Sequence, residues 1–295
     1  MNTQVQEDEY IYSGHVGCPG CGAVLAMRYT LKALGKQTMI AMAASCWSSI
    51  AGAFPNTSLK LPVLHCAFAT AAITAAAIKA GLEMKGDRET TALAWAGDGG
   101  TFDIGMQSLS GVAERNDNII YVCYDNEAYM NTGIQRSSAS PLHVWTTTTP
   151  ATSPKNTRKK DLIGIMVAHR VPYAATASVA YPQDLVTKVK KAKEIEGTKI
   201  IHILSPCPIG WKYPSELTIK IARLAVQTKV FPLYEVDNGR YHITVTPDHI
   251  PTTNYIRLQS RFDHLGEENL EEVQSSVDIE WEKLLRRVSA TSEFG

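Results

Sequence analysis

The sequence predicts an α/β fold: a parallel sheet with helices on both faces and a small C-terminal extension. Three observations carry this. Short apolar runs bounded by polar residues alternate with amphipathic segments of helical length, the pattern of repeated strand–helix units. Two of the buried runs end in polar clusters, Gly97-Asp98-Gly99-Gly100 and Asp125-Asn126. From Pro214 onward the pattern changes to a short helix, a hairpin and a charged tail. This places one large unit over 1–213 and an extension over 214–295, packed on the core or on another subunit.

Composition bounds the function. The chain has 295 residues, with 29 acidic and 29 basic side chains, and 44% of it is hydrophobic. Zero net charge argues against nucleic acid or an anionic membrane as the main partner. No run is long and apolar enough to span a bilayer. The N-terminal MNTQVQEDEY is polar and acidic, unlike a secretory leader, so a cytoplasmic location is expected. Six cysteines in a chain of this size point to metal, catalysis or packing and away from a disulfide framework.

The first chemical signal is HVGCPGCG at 15–22. Cys18 and Cys21 form a Cys-x-x-Cys pair in a Pro/Gly-rich turn, ahead of a helix through Val24, Leu25, Met27, Leu31 and Leu34. A thioredoxin-like pair would need a preceding strand, which is missing. A zinc or iron–sulfur half-site suits glycines that let backbone wrap a metal. Two plain thiols in a turn are the third reading. Two further ligands are available at strand ends: Cys46 after the strand Met39–Ala43, and Cys207 after the strand Lys199–Leu204. Cys66, at the start of the Ala-rich helix 67–80, and Cys123, inside a buried strand, read as packing residues. The candidate four-thiolate set is therefore Cys18, Cys21, Cys46 and Cys207, and spacing alone does not separate zinc from [4Fe–4S].

Leu61–His65 is a short strand with His65 at its end, a helix-start residue or a proton-handling one. Thr90–Ala96 and Asn118–Tyr124 are buried strands. They put Asp98 and Asn126 on neighbouring loops at the carboxyl edge of the sheet, where open α/β sheets bind ligands. Such a pair suits a diphosphate held through Mg²⁺, which takes a few hard oxygens from protein. Asp98 offers a carboxylate, Asn126 an amide oxygen, and Ala128 a backbone carbonyl. Gly97, Gly99 and Gly100 let backbone approach phosphate.

The polar stretch after Asn126 runs to the helix at Asp161–Ala168. It is long for a connection and attached to the proposed ion site, which favours a binding role over a merely solvated one. Asn131 and Thr132 are suited to hydrogen-bond a substrate there. Then follow a strand at Tyr173–Ala177 and a helix at Gln183–Glu196 with a lysine-rich face read as solvated. The tail offers a helix at Leu217–Val226, a hairpin turning at Asp237-Asn238-Gly239, and a helix through Trp281 and Leu285. Nothing in the tail reads as catalytic.

Taken together, CPGCG (18–22), SCWSS (45–49), HCAFATAA (65–72), GDGGTFDIGMQSLSGVAERN (97–116), YVCYDNEAYMNTGIQRSSAS (121–140), ATASVAYPQDL (175–185), LSPCPIGW (204–211) and LQSRFDHL (258–265) resemble the β, thiamine diphosphate-binding subunits of the 2-oxoacid:ferredoxin oxidoreductases. The branch most similar is that of pyruvate:ferredoxin oxidoreductase, or pyruvate synthase. The resemblance covers nearly the whole chain and implies a thiamine diphosphate-binding fold. It implies one [4Fe–4S] cluster on Cys18, Cys21, Cys46 and Cys207, with Cys46 close to the cofactor, and Mg²⁺ on Asp98, Asn126 and Ala128. Asn131 would lie near the reactive thiazolium carbon, with His65 as a second catalytic candidate. The implied reaction is oxidative decarboxylation of pyruvate with CoA, or its reverse, with electrons leaving one at a time through the cluster to ferredoxin. The implied partners are alpha, gamma and ferredoxin-like delta subunits, one of which would supply the glutamate that activates thiamine. One departure is Asp125 where the broader pattern often has asparagine. A branched-chain 2-oxoacid or oxalate is the alternative substrate; a non-redox thiamine decarboxylase with structural zinc is the alternative enzyme.

Overall fold

A computed structural model of the chain describes residues 7–248 and 250–292; residues 1–6, where the leader expectation falls, lie outside the described residues. The strands are β1 (Thr38–Ala43), β2 (Val63–Cys66), β3 (Thr91–Gly97), β4 (Ile119–Asp125), β5 (Tyr173–Ser178), β6 (Thr198–Leu204), β7 (Leu233–Asp237) and β8 (Arg240–Val245). They form one sheet of eight in the order β2-β1-β3-β4-β6-β5-β7-β8. The first six are parallel, and the β7–β8 hairpin adds to β5 antiparallel. The hairpin turns on Asn238 and Gly239, both at positive φ (47° and 82°), as a two-residue loop between twisted strands requires.

The helices are α1 (Gly22–Leu34), α2 (Cys46–Ala51), α3 (Ala71–Met84), α4 (Met106–Arg115), α5 (Leu162–Ala168), α6 (Pro182–Glu194), α7 (Pro208–Trp211), α8 (Thr218–Gln227), α9 (Thr253–Ile256) and α10 (Glu267–Ser292). None of the described helices is long and apolar enough to cross a membrane. The alternation along the strands sorts them into two layers. Ile40, Met42, Leu93 and Trp95 face the layer that holds α1 and α6. Ala41, Ala43, Ala92, Ala94 and Ala96 face the opposite layer, against Ala71, Ala72, Ala75 and Ala76 of α3. This explains the alanine run: small side chains on both surfaces let helix and sheet approach closely.

Several boundaries differ from the sequence expectation. β2 begins after Pro62, which has no N–H to give a ladder and contributes only its carbonyl, accepting from Ile40 N at 2.9 Å. Cys66 closes β2; α3 starts only at Ala71. The lysines of α6 are not all solvated. Lys188 is 1% exposed and donates to Thr176 O at 2.8 Å and Asp184 Oδ2 at 2.7 Å. In α10 the inward residues include Leu270, Trp281 and Leu284, of which the last two join the α3 layer, while Leu285 is exposed.

Candidate active site

Four neighbouring strands deliver the chemistry to one edge. Cys46 follows β1, Asp98 follows β3, Asn126 follows β4 and Cys207 follows β6. The turn carrying Cys18 and Cys21 lies against the last of these, since Gly22 N donates to Pro206 O at 3.0 Å. Gly22 has to be glycine there: a Cβ would sit 2.7 Å from Pro206 N. All six cysteines are free thiols.

Gly97, Asp98, Gly99, Gly100, Asn126, Ala128, Asn131, Thr132 and Cys46 line a single cleft of about 140 Å³. The glycines serve the protein's own packing as well as any ligand. At Gly99 a Cβ would meet the Tyr129 ring at 2.4 Å, and Tyr129 in turn packs on Phe68 with ring centroids 5.8 Å apart. His65 is exposed on the outer strand and is not among the residues lining the cleft. A larger cavity of about 440 Å³ lies between α10 and the sheet, lined by apolar groups and by charges already engaged, such as Arg287 with Asp161. Neither Asp98 nor Asn126 reaches it.

The oxygens of the cleft converge. As placed, Asn126 Oδ1 faces the Ala128 carbonyl and Asp98 Oδ1, each 3.0 Å away; turning the amide would make its nitrogen a donor to both. Oxygens bound side by side to one Mg²⁺ are separated by about 2.8–3.0 Å, the edge of an octahedron with 2.0–2.1 Å bonds. The other carboxylate oxygen, Asp98 Oδ2, accepts from Ser137 Oγ at 2.5 Å. Asp98 is 1% exposed. Burial, with the charge of Asp125 added, pushes its carboxyl well above the usual range.

Asp125 is the contrasting case. Burial works against its charge too, but Lys159 and His202 outweigh burial and hold it at about 2. Lys159 forms an ion pair with Asp125, and His202 Nε2 lies 2.7 Å from Oδ2. Of two buried aspartates, the chain neutralises one and leaves the other without a cation of its own. That is the donor set a divalent ion fits.

The thiols form a second group. Burial pushes the Cys46 thiol up to about 12 and Cys207 to about 11, and Cys21 moves in the same direction. The charges of Cys207, Cys21 and Cys18 add to the effect at Cys46, and those of Cys21 and Cys18 to the effect at Cys207. Among the described residues no three His, Cys, Asp or Glu side chains are gathered at single-ion spacing.

Residues 55–203 match the thiamine pyrophosphate enzyme C-terminal TPP-binding domain. The chain is 48% identical over 286 residues to pyruvate synthase subunit PorB of Methanocaldococcus jannaschii, covering 93% of this chain and 96% of that protein. It is 46% identical over 288 residues to ketoisovalerate oxidoreductase subunit VorB of Pyrococcus horikoshii, covering 94% and 93%. The chain belongs to the 2-oxoacid:ferredoxin oxidoreductase family, as its β, thiamine diphosphate-binding subunit. A solved 2-oxoglutarate:ferredoxin oxidoreductase from Magnetococcus marinus has the same fold, with TM-score 0.60 and 21% identity over 76% of this chain and 81% of that one.

Within this 2-oxoacid:ferredoxin oxidoreductase subunit, sequence reading passed over Ser137, Glu127, Lys159, His202 and Arg261. Two of them left a trace. His202 interrupts the otherwise apolar end of β6, and Ser137 lies in the small polar run SSAS. Lys159 and Arg261 reach the site only through the tertiary fold.

Proposed function

We propose that this chain is the catalytic β subunit of a pyruvate:ferredoxin oxidoreductase, which converts pyruvate and CoA to acetyl-CoA and CO₂, or runs in reverse. The observation that carries the reading is the convergence of the Asp98 carboxylate, the Asn126 amide and the Ala128 carbonyl beside Cys46, one of the four candidate thiols. Thiamine diphosphate, when bound, supplies the electron sink that lets a 2-oxoacid lose CO₂. Asp98, Asn126 and the Ala128 carbonyl would hold the Mg²⁺ that ties down its diphosphate. Asn131 and Thr132, exposed on the loop that closes the cleft, would orient substrate. His65, exposed at the end of β2, is proposed to exchange protons at the open side.

Cys18, Cys21, Cys46 and Cys207 would carry one [4Fe–4S] cluster. The other three thiols lie near enough to act on Cys46, as one shared site requires. Coordination would deprotonate thiols that burial otherwise keeps protonated. No glutamate lines the cleft among the described residues, which supports a partner subunit as the source of the thiamine-activating carboxylate. Val16 and Ile209, 73% and 62% exposed beside the cysteine turns, suit such a contact. Alpha, gamma and ferredoxin-like delta subunits, with ferredoxin as acceptor, complete the proposed enzyme, in the cytoplasm.

A second substrate has specific support, because identity to the ketoisovalerate subunit nearly equals that to the pyruvate subunit. Relative kcat/KM for pyruvate and 2-ketoisovalerate, with CoA and a viologen acceptor, decides between them. The cluster is tested by anaerobic iron and acid-labile sulfide analysis. About four irons per chain, largely lost in Cys207→Ser, is the expected result. Zinc without iron overturns the redox reading.

A further inference from the structure

Glu127 stands between two of the three oxygen-bearing residues, and its backbone is left-handed, with φ 67°. A residue with a Cβ stays there only where its surroundings impose it. Four contacts do so, the first of them local: Glu127 N donates to Asp125 Oδ1 at 2.9 Å. Arg261 Nη2 donates to Glu127 Oε2 at 2.6 Å, with both side chains almost fully buried. Lys159 Nζ lies 3.1 Å from Oε1. Ser140 Oγ donates to the Glu127 carbonyl at 2.7 Å. Arg261 is itself fixed, its guanidinium 3.9 Å from the Trp211 ring centroid and its Nε donating to Gln259 Oε1 at 3.0 Å. Trp211 Nε1 then donates to the Asn126 carbonyl at 2.7 Å.

The left-handed residue reverses the chain between Asn126 and Ala128, so the side-chain amide of one and the carbonyl of the other meet at 3.0 Å. Asp125 and Ser140 hold the Glu127 backbone, and Arg261 and Lys159 fix its side chain, so the clamp adds to the restraint on the Ala128 carbonyl. We propose that Glu127, clamped by Arg261, is a positioning residue that pre-forms the divalent-ion site, so that the C-terminal segment sets the ion affinity of the subunit. This rests on reading Asp98, Asn126 and Ala128 as the ion's ligands. Arg261 lies 134 residues from Glu127 in sequence, in a segment with no ligand of its own in the cleft.

The test uses the full chain in its native assembly, with Mn²⁺ standing in for Mg²⁺ and read by EPR at fixed thiamine diphosphate. The paired variant Glu127→Gln with Arg261→Met removes both buried charges together, so neither is left unpaired. Its Mn²⁺ affinity is expected to fall about 10–100-fold, the usual cost of removing an outer-shell partner, while its metal-free melt stays within a few degrees of wild type. Wild-type Mn²⁺ affinity in the folded pair overturns the proposal. If the pair does not fold, Glu127→Gln alone decides: weakened Mn²⁺ binding supports the clamp, and unchanged binding overturns it. Failure of the wild-type protein itself to bind Mn²⁺ with thiamine diphosphate sinks the ligand reading, a result distinct from either.

Discussion

Ser137 Oγ and Asp98 Oδ2 share a 2.5 Å hydrogen bond across 39 residues of sequence. The hydroxyl occupies one carboxylate oxygen and so aims the other, Oδ1, at Asn126 and the cleft. The bond thereby connects the long loop after β4 to the end of β3. Ser137 is itself held, its N–H donating to Ser140 Oγ at 3.0 Å. Substitution Ser137→Ala removes this orientation without opening a large void. Affinity for Mg²⁺ with thiamine diphosphate, titrated by intrinsic fluorescence, is expected to fall about tenfold or more, as for other outer-shell partners. The melting temperature should move by only a few degrees.

Asp98 itself should trade stability for binding. Burial and Asp125 favour its protonated form when no cation is present, and an asparagine resembles that form in shape and charge. The cofactor-free Asp98→Asn protein is therefore expected to melt no lower than wild type. Saturating Mg²⁺ and thiamine diphosphate, at about 100 times Kd, stabilise wild type by about 2.7 kcal/mol. The variant should show none of that shift in a thermal melt.

Sorting the cysteines predicts a pattern. Cys123 is fully buried inside β4, and Cys66 ends β2, the outermost strand of the sheet. Cys66→Ala and Cys123→Ala should retain the iron and sulfide content of wild type. Cys18→Ser, Cys21→Ser and Cys46→Ser should lose most of it. Iron loss in Cys66→Ala to the same degree would show that the ligand set was sorted wrongly.

The strands and the residues at their ends were legible because they carry local signals. A buried strand is an apolar run with polar stops, and a carboxylate, amide or thiol just past the stop must lie at the sheet edge. Asp98, Asn126, Cys46 and Cys207 are all of that kind. The supports behind them are not. Arg261 meets Glu127, and Lys159 meets Asp125, only after the chain has folded back on itself. Nothing near either in sequence marks it as the partner of a buried carboxylate. The loop after Asn126 looked polar enough to be solvated, yet Lys155 Nζ donates to the carbonyls of Ser140 and Thr157 at 2.6 Å each, and Ser137 and Ser140 are buried. Its polarity is consumed internally.

Trp281 tests whether the tail belongs to the same cooperative unit. Its indole is 7% exposed and packs in the layer that holds α3 and α4, with Lys229 Nζ 5.7 Å from the ring centroid. Trp281→Ala is expected to cost about 3–5 kcal/mol, the usual loss for a large buried aromatic. One transition at lower temperature is the expected calorimetric result. Two separated transitions would show that the tail folds as an independent unit.

Lys199 carries a penalty that depends on pH. It lies in β6, 2% exposed, and burial lowers its amine to about 8, with Glu196 opposing the shift and Lys79 adding to it. Nζ has one neutral partner, Asn118 Oδ1, at 2.5 Å. In the unfolded chain the amine titrates near its ordinary value of 10.5. Below pH 8 both states are protonated, and the folded state bears the full cost of a buried charge, about 3 kcal/mol for a shift of this size. Between pH 8 and 10.5 the unfolded state binds more protons than the folded one, so this cost shrinks as pH rises, reaching zero near the unfolded value. Lys199→Met removes the amine and keeps the bulk. The variant should melt above wild type at pH 7, and the difference should narrow steadily from pH 8 to pH 10. Comparing the two proteins at each pH cancels the titration of groups they share. A difference that stays flat across that range would mean that Lys199 keeps an ordinary amine in the folded protein.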